Sequence, residues 1–274
     1  MGKSEPNKAH VLIEGVSKTF ELRGGGTTNA LSPIDATVGQ GRFISIVGPS
    51  GCGKSTLLNI VAGLVKPTTG AVSVDGEPVR GPRRSIGVVF QEDSTLPWRT
   101  VMDNVRLGLE VEGMRKAAQI SRAKEMIDLV GLTGFEHAYP RELSGGMRQR
   151  VAIARTLALD PSVLLMDEPF GALDPQTRLM IGVELLRMWQ STSKTVLFVT
   201  HDIQEALLLS QEVWVMSYRP ATISERLPVP FEYPRGPELL STDDYQHLNA
   251  RIWSVLQKES QRAFDEREHL LSSR

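Results

Sequence analysis

"RFISIVGPSGCGKSTLLNIVAGL", residues 42–64, decides the fold. It begins as an apolar run suited to a buried strand. It turns at a cluster of glycines and continues as a helical pattern. Gly48–Ser55 fits G-x-x-x-x-G-K-[ST] in the context that makes the pattern meaningful, a strand before and a helix after. Gly48, Gly51 and Gly53 let the backbone wrap around phosphate with its N–H groups inward. Pro49, Ser50 and Cys52 complete the loop, and the helix adds its positive N-terminal end. Lys54 is expected to reach the β- and γ-phosphates. Ser55 is expected to offer a hydroxyl to Mg²⁺, with Thr56 closing the motif. The plain alternative is a glycine turn that only joins strand to helix. Cys52 has two readings as well: a small filler, or a thiol activated by Lys54 and the helix end.

Around this stretch the chain alternates. "VLIEGVSKTFE" (Val11–Glu21) reads as a strand, "RGGGTTN" as a hairpin loop and "ALSPIDATV" as a second strand. "GAVSVDGEPV" carries Asp75-Gly76 between alternating residues, a hairpin signal. "SIGVVFQ", "SVLLMDE", "TVLFVTH" and "EVWVMS" are short apolar runs for buried strands. "TRLMIGVELLRMWQ" is helical. Strand–helix alternation predicts a parallel, helix-covered sheet. Between Thr100 and Leu157 the period is helical: Ile120, Ala123 and Ile127 share one face, as do Met147, Val151, Ala154 and Ala158. This block reads as an insertion. After Pro237 an amphipathic helix is expected, with Tyr245, Leu248, Ile252 and Leu256 on one side.

Two of the strands end in chemistry. "SVLLMDE" closes on Asp167 and Glu168. In a parallel sheet the carboxyl ends face the ligand crevice, so Asp167 is a candidate for Mg²⁺ and Glu168 for the base that takes a proton from water. Alone, the pair would pass for a solvated strand end. His201 follows "TVLFVT" and Gln91 follows "SIGVVF". Each is either a polar terminus or a group at the γ-phosphate, His201 as donor and Gln91 through its amide to Mg²⁺ or the attacking water.

Composition bounds the partners. The 274 residues hold 31 basic and 32 acidic side chains, net charge −1, which gives no footprint for nucleic acid or for an anionic membrane. The hydrophobic fraction of 41% supports a substantial core. A single cysteine excludes an internal disulfide and a Cys-rich zinc site, and suits a reducing compartment. No apolar run reaches the roughly 18 residues of a membrane span. "MGKSEPNKAH" has neither a secretory core nor, with Pro6, a myristoylation signal. Membrane association is therefore expected through a partner protein.

"LSGGMRQRVAIARTLALDP" (Leu143–Pro161) places Ser144, Gly145 and Gly146 directly ahead of a good helix. With "GPSGCGKST", Gln91, "LLMDEP", "GALD" and His201 in that order, the chain resembles the nucleotide-binding subunits of ATP-binding cassette (ABC) transporters over residues 10–230. The resemblance implies an α/β P-loop NTPase fold, a RecA-like core with an antiparallel β subdomain and an inserted α-helical signature subdomain. It implies ATP and Mg²⁺, with Ser55, Gln91 and Asp167 at the metal and Glu168, His201, Gln91 and Lys54 at the reaction. It also implies a head-to-tail homodimer in which Ser144, Gly145 and Gly146 cap the partner's ATP and Asp174 bridges the two sites. Phe20 stands where the family carries its adenine platform; many relatives have Tyr there, and Phe keeps the stacking face. The expected division is an ATP-binding core (10–95 and 155–235), a helical subdomain (96–154), a helical extension (236–274) and an unstructured start (1–9).

"LPWRTVMDNVRLGL" (Leu96–Leu109) and "YRPATISERLPVPFEYPRG" resemble the nitrate/sulfonate/taurine importer branch. That implies a peripheral subunit on the cytoplasmic face, docked on integral membrane permeases and served indirectly by an extracellular or periplasmic solute-binding protein. The residues after Gln91, "EDSTLPWRTVMDNV", are candidates for the permease contact. Trp98 is either an interface anchor or a core tryptophan. A soluble ABC ATPase acting on DNA or ribosomes would need coiled coils, paired cassettes or zinc modules, and none is visible. A small P-loop kinase would leave the signature and His201 without purpose. An exporter cassette is more often fused to membrane spans.

Overall fold

The computed structural model describes residues 9–22, 24–92, 94–171, 173–192 and 194–272. Of the start expected to lack structure (1–9), residues 1–8 lie outside the described residues, and Ala9 is instead the first residue of a strand. The chain divides into two compact units: residues 1–83 with 195–274, and residues 84–194.

The first unit starts with β1 (Ala9–Glu21) and β2 (Thr27–Gly39), joined through a tight turn in which Leu22 N donates to Gly26 O. The expected loop "RGGGTTN" is shorter than its composition suggests. Thr27 and Asn29 already pair with Glu21 and Thr19, because β-branched threonines favour the extended chain. Arg23 of that loop is not among the described residues. Then come β3 (Phe43–Val47), α1 (Lys54–Val61), β4 (Thr69–Val74) and β5 (Glu77–Pro78). Asp75 and Gly76 both have positive φ, the geometry a two-residue hairpin turn demands. β2, β1, β4 and β5 form one antiparallel sheet.

The second unit holds β6 (Ile86–Val89), α2 (Val101–Val111), α3 (Lys116–Leu129), α4 (Gly145–Ala158), β7 (Val163–Asp167) and α5 (Pro175–Thr192). β6 and β7 pair in parallel, Ile86–Val89 against Val163–Met166. The helical stretch holds three helices. Gly113 and Gly131, both at positive φ, follow α2 and α3 and end them. Val151, Ala152, Ile153 and Ala154 are all buried, so α4 is covered on every side.

The chain then returns to the first unit with β8 (Thr195–Val199), α6 (Ile203–Leu209), β9 (Glu212–Met216), β10 (Ile223–Pro228) and α7 (Asp243–Ser272). β3 lies between β8 and β9, parallel to both, with β10 antiparallel on β9. β10 has no clear sequence signal, since only Leu227 of its six residues is buried. On α7, Tyr245 and Ile252 are buried against Val213, Val215 and Leu227, with Leu248 and Leu256 packed alongside, the face expected from spacing. Fully burying one such aliphatic side chain stabilises by about 1.5–3 kcal/mol. No helix among the described residues is long and apolar enough to cross a membrane.

Candidate functional site

Register sets the site. In the first unit Ile46 of β3 pairs with Val199 of β8. Two residues further on stand Gly48 and His201, at the carboxyl ends of adjacent parallel strands. In the second unit Val89 of β6 pairs with Met166 of β7. Two residues beyond that pair stand Gln91 and Glu168. The four strand-end candidates are therefore brought together two by two, for the same topological reason.

The glycine loop has the shape of a phosphate cradle. Gly53, at φ 127, is the N-cap of α1; no side chain caps the helix and no acidic residue lies in its first turn. The leading amides of α1 are thus presented for an anion. A methyl group on Gly53 would lie 2.8 Å from Leu31 Cδ2 and 3.1 Å from Ala30 O, so only glycine fits. Lys54 is 5% exposed, and its ammonium donates to Gly48 O at 2.9 Å and Pro49 O at 3.2 Å. A buried cation held by the loop's own carbonyls is what a polyphosphate site needs. Pro49 is half-buried, Ser50, Gly51 and Ser55 are exposed, and Thr56 is half-buried on α1.

Cys52 takes the filler reading. It is fully buried, and its Sγ would be 3.0 Å from a methyl on Gly48. Burial pushes its thiol up, and the Lys54 charge only partly offsets that. The activated-thiol reading is therefore corrected: desolvation outweighs the cation. Iodoacetamide should label native protein far more slowly than denatured protein, and Cys52→Ala should keep its hydrolysis; equal labelling rates would refute the buried assignment.

His201 is exposed at the turn into α6, between Thr200, whose hydroxyl donates to Glu205 at 2.5 Å, and Asp202, which caps α6 at Gln204 N and Glu205 N. Phe20, near the end of β1, is 39% exposed, with Lys18 Nζ 4.9 Å from its ring centroid. An exposed aromatic face suits a base to stack on. Phe20→Ala should weaken ATP binding about tenfold, read by titration; unchanged affinity would remove the assignment.

In the second unit Glu168 is in the left-handed region, φ 44, an uncommon conformation for a residue with a side chain. Gly171 N donates to Glu168 O at 3.1 Å and folds the chain back. A methyl on Gly171 would meet Gln91 Nε2 at 3.8 Å and Glu168 Oε2 at 3.9 Å. The amide and the carboxylate thus flank one point. Asp167 ends β7 and is half-buried.

Ser144 is the N-cap of α4, its hydroxyl accepting from Met147 N at 3.3 Å. Gly145 opens α4, where a methyl would be in ordinary contact with Arg148 at 3.7 Å and Leu173 at 3.8 Å. Gly146 is small for a second reason, since a methyl there would be 2.9 Å from Ile181 on α5. Asp174 is exposed beyond the turn, and hydrogen bonds from Thr177 hold its carboxyl below the usual range. A cavity of about 800 Å³ within this unit joins Gln91, Ser94, Gly145, Arg148, Gln149 and Gly171. The sequence reading missed Gln149, a buried amide whose Nε2 has no hydrogen-bond partner among the described residues; one glutamine in an Arg-rich helix carries no local signal.

Trp98 is 71% exposed, which corrects the core reading. The loop that displays it is pinned by buried Asn104, which accepts from Leu96 N and donates to the carbonyls of Leu96, Arg99 and Thr100.

The chain resembles proteins of known family. The family profile described as ABC transporter matches residues 31–171. An uncharacterised ABC transporter ATP-binding protein of Methanocaldococcus jannaschii is 48% identical over 94% of this chain and 95% of its own. A taurine import ATP-binding protein of Yersinia pestis is 44% identical over 88% and 94%. A nitrate import ATP-binding protein of Synechocystis is 47% identical over 80% and 82%. Among solved structures, a dimeric ATP-binding cassette in a post-hydrolysis state with ADP and Pi superposes with TM-score 0.72 at 34% identity. It covers 81% of this chain and all of its own.

Proposed function

Since this chain belongs to the ABC transporter family, as an ATP-binding subunit of the P-loop NTPase fold that hydrolyses ATP with Mg²⁺, we propose that it powers the import of a small anionic or polar solute, in the class of nitrate, alkanesulfonates or taurine. The observation that carries the importer reading is the loop around Trp98, pinned by Asn104 so that the large aromatic stands 71% exposed. Such a group is an anchor for a protein partner. The taurine and nitrate import proteins among its relatives support the same reading.

In this proposal the working unit is a homodimer on two membrane permease subunits, peripheral to the cytoplasmic face, with a solute-binding protein outside. The ATP-binding core is residues 10–95 and 155–235, the signature subdomain 96–154 and the extension 236–274. Gly48–Thr56 hold the phosphates, Lys54 neutralises them and Phe20 stacks on the adenine. Ser55, Gln91 and Asp167 hold Mg²⁺. One carboxylate, one amide and one hydroxyl suit an ion that keeps phosphates and waters as its remaining ligands. Bound Mg²⁺ supplies charge neutralisation at the phosphates. Glu168 accepts a proton from the attacking water, Gln91 and His201 orient it, and Ser144, Gly145, Gly146 and Asp174 act on the partner's nucleotide.

Purification of the tagged chain from gently solubilised native membranes tests this. A stoichiometric multi-span partner is expected, and uptake of labelled taurine, sulfonate or nitrate by cells should then depend on the chain. A soluble partner with no membrane protein would leave an ABC ATPase not coupled to transport.

A further inference from the structure

The loop Ser217–Thr222, between β9 and β10, runs beside the glycine loop within the same unit. A methyl on Gly48 would lie 3.0 Å from Met216 O, at the end of β9. The loop is tied on one side to β2: Ala221 N donates to Ala30 O and Ser32 N to Ala221 O, each at 3.0 Å. The same Ala30 carbonyl backs Gly53. Within the loop Thr222 N donates to Ser217 Oγ at 3.0 Å. On the other side Tyr218 N donates to Glu259 Oε2 at 2.9 Å. Glu259 is on α7, 6% exposed, and its second oxygen accepts from Arg262 at 2.8 Å.

Between these two ties stands Arg219. Its Nη2 lies 3.5 Å from where a methyl on Gly51 would be, and its guanidinium lies 5.8 Å from the Tyr218 ring centroid. Among the described residues no carboxylate pairs with it. An unpaired, exposed guanidinium against a glycine of a phosphate loop has one evident complement, a phosphate oxygen. The fixing of its loop removes part of the ordering cost of such a contact.

We propose that Arg219 is a second cation of the nucleotide site, donating to the polyphosphate held by the glycine loop, and that Glu259 of α7 is the positioning residue that holds its loop. This rests on the cradle reading of Gly48–Thr56. It also gives the C-terminal helix a task, since α7 anchors the backbone next to the cation. Burial raises the Cys52 thiol, and the charges of Lys54 and, least, of Arg219 act against that rise.

The test is calorimetric titration of the purified full-length chain with ATP, ADP and AMP, at low and high salt. Arg219→Ala should weaken ATP and ADP about tenfold at low salt, the scale of one charge-assisted contact. The loss should shrink at high salt, as for any exposed charge. AMP affinity should not change. Arg219→Lys should restore part of the binding, and Glu259→Ala should reproduce part of the loss but add nothing to Arg219→Ala. Unchanged ATP affinity in Arg219→Ala, or a parallel loss of AMP affinity, would overturn the proposal. Lys54→Ala separates the failures: its loss of ATP binding with Arg219→Ala unaffected sinks Arg219 alone. If both variants bind normally, the cradle reading falls and this inference with it.

Discussion

Glu168→Gln stops turnover while ATP stays bound. Glutamine keeps the volume and the polar contacts of the side chain but cannot take a proton. Removing a general base costs about 10²–10⁴-fold in rate. The position is prepared for that task. Glu168 stands two residues past the β6–β7 pair Val89–Met166, level with Gln91, and its backbone is held at φ 44. Such a conformation costs of order 1–3 kcal/mol in an L-residue and persists where the surroundings impose it. Here the reverse turn to Gly171 does so. The measurement is phosphate release under saturating ATP, with gel filtration beside it. The variant should run as a dimer in ATP and as wild type without it. Near-normal phosphate release would move the base role to His201.

Lys54→Ala weakens ATP binding about 100-fold rather than only slowing the reaction. The ammonium is buried and bonded to Gly48 O and Pro49 O. Its loss removes both the charge at the phosphates and the tie that draws the loop together. Interactions of a charged donor with a phosphate are about twice as strong as neutral ones, and a buried one is weakly screened. Affinity should fall about 100-fold, the equivalent of about 2.7 kcal/mol. Lys54→Arg should not restore it, because a planar guanidinium does not fit where a compact ammonium is enclosed. A thermal melt controls for folding. Binding within a few-fold of wild type would remove the cradle reading.

Local patterns were legible because they are written in neighbouring residues. The glycine spacing before α1, the apolar runs ending at Gln91, Glu168 and His201, the Ser144 cap and the Asp75-Gly76 hairpin each depend on a handful of contiguous side chains. So did the buried face of α7, since helical periodicity is local too. What local patterns left open needed distant residues. The activated-thiol reading of Cys52 rested on its neighbour Lys54, but the burial that decides for the filler is the doing of the whole unit around the loop. Trp98 could go inward or outward until Asn104 pinned its loop. β10 carries almost no apolar face and exists because β9 offers it an edge.

What the sequence determined by itself was the chemistry available: which residues can cradle phosphate, carry metal or take a proton, and at which strand ends they stand. What only the tertiary structure decided was their company. Strand register put Gly48 level with His201 and Gln91 level with Glu168. Chain return put Arg219 against Gly51, 168 positions away in sequence. The close packing of α5 left no room for a side chain at Gly146. Pairings of that kind join residues whose separation along the chain carries no periodic signal. They are selected by burial and hydrogen-bond satisfaction over a whole unit, and no short stretch of the sequence contains them.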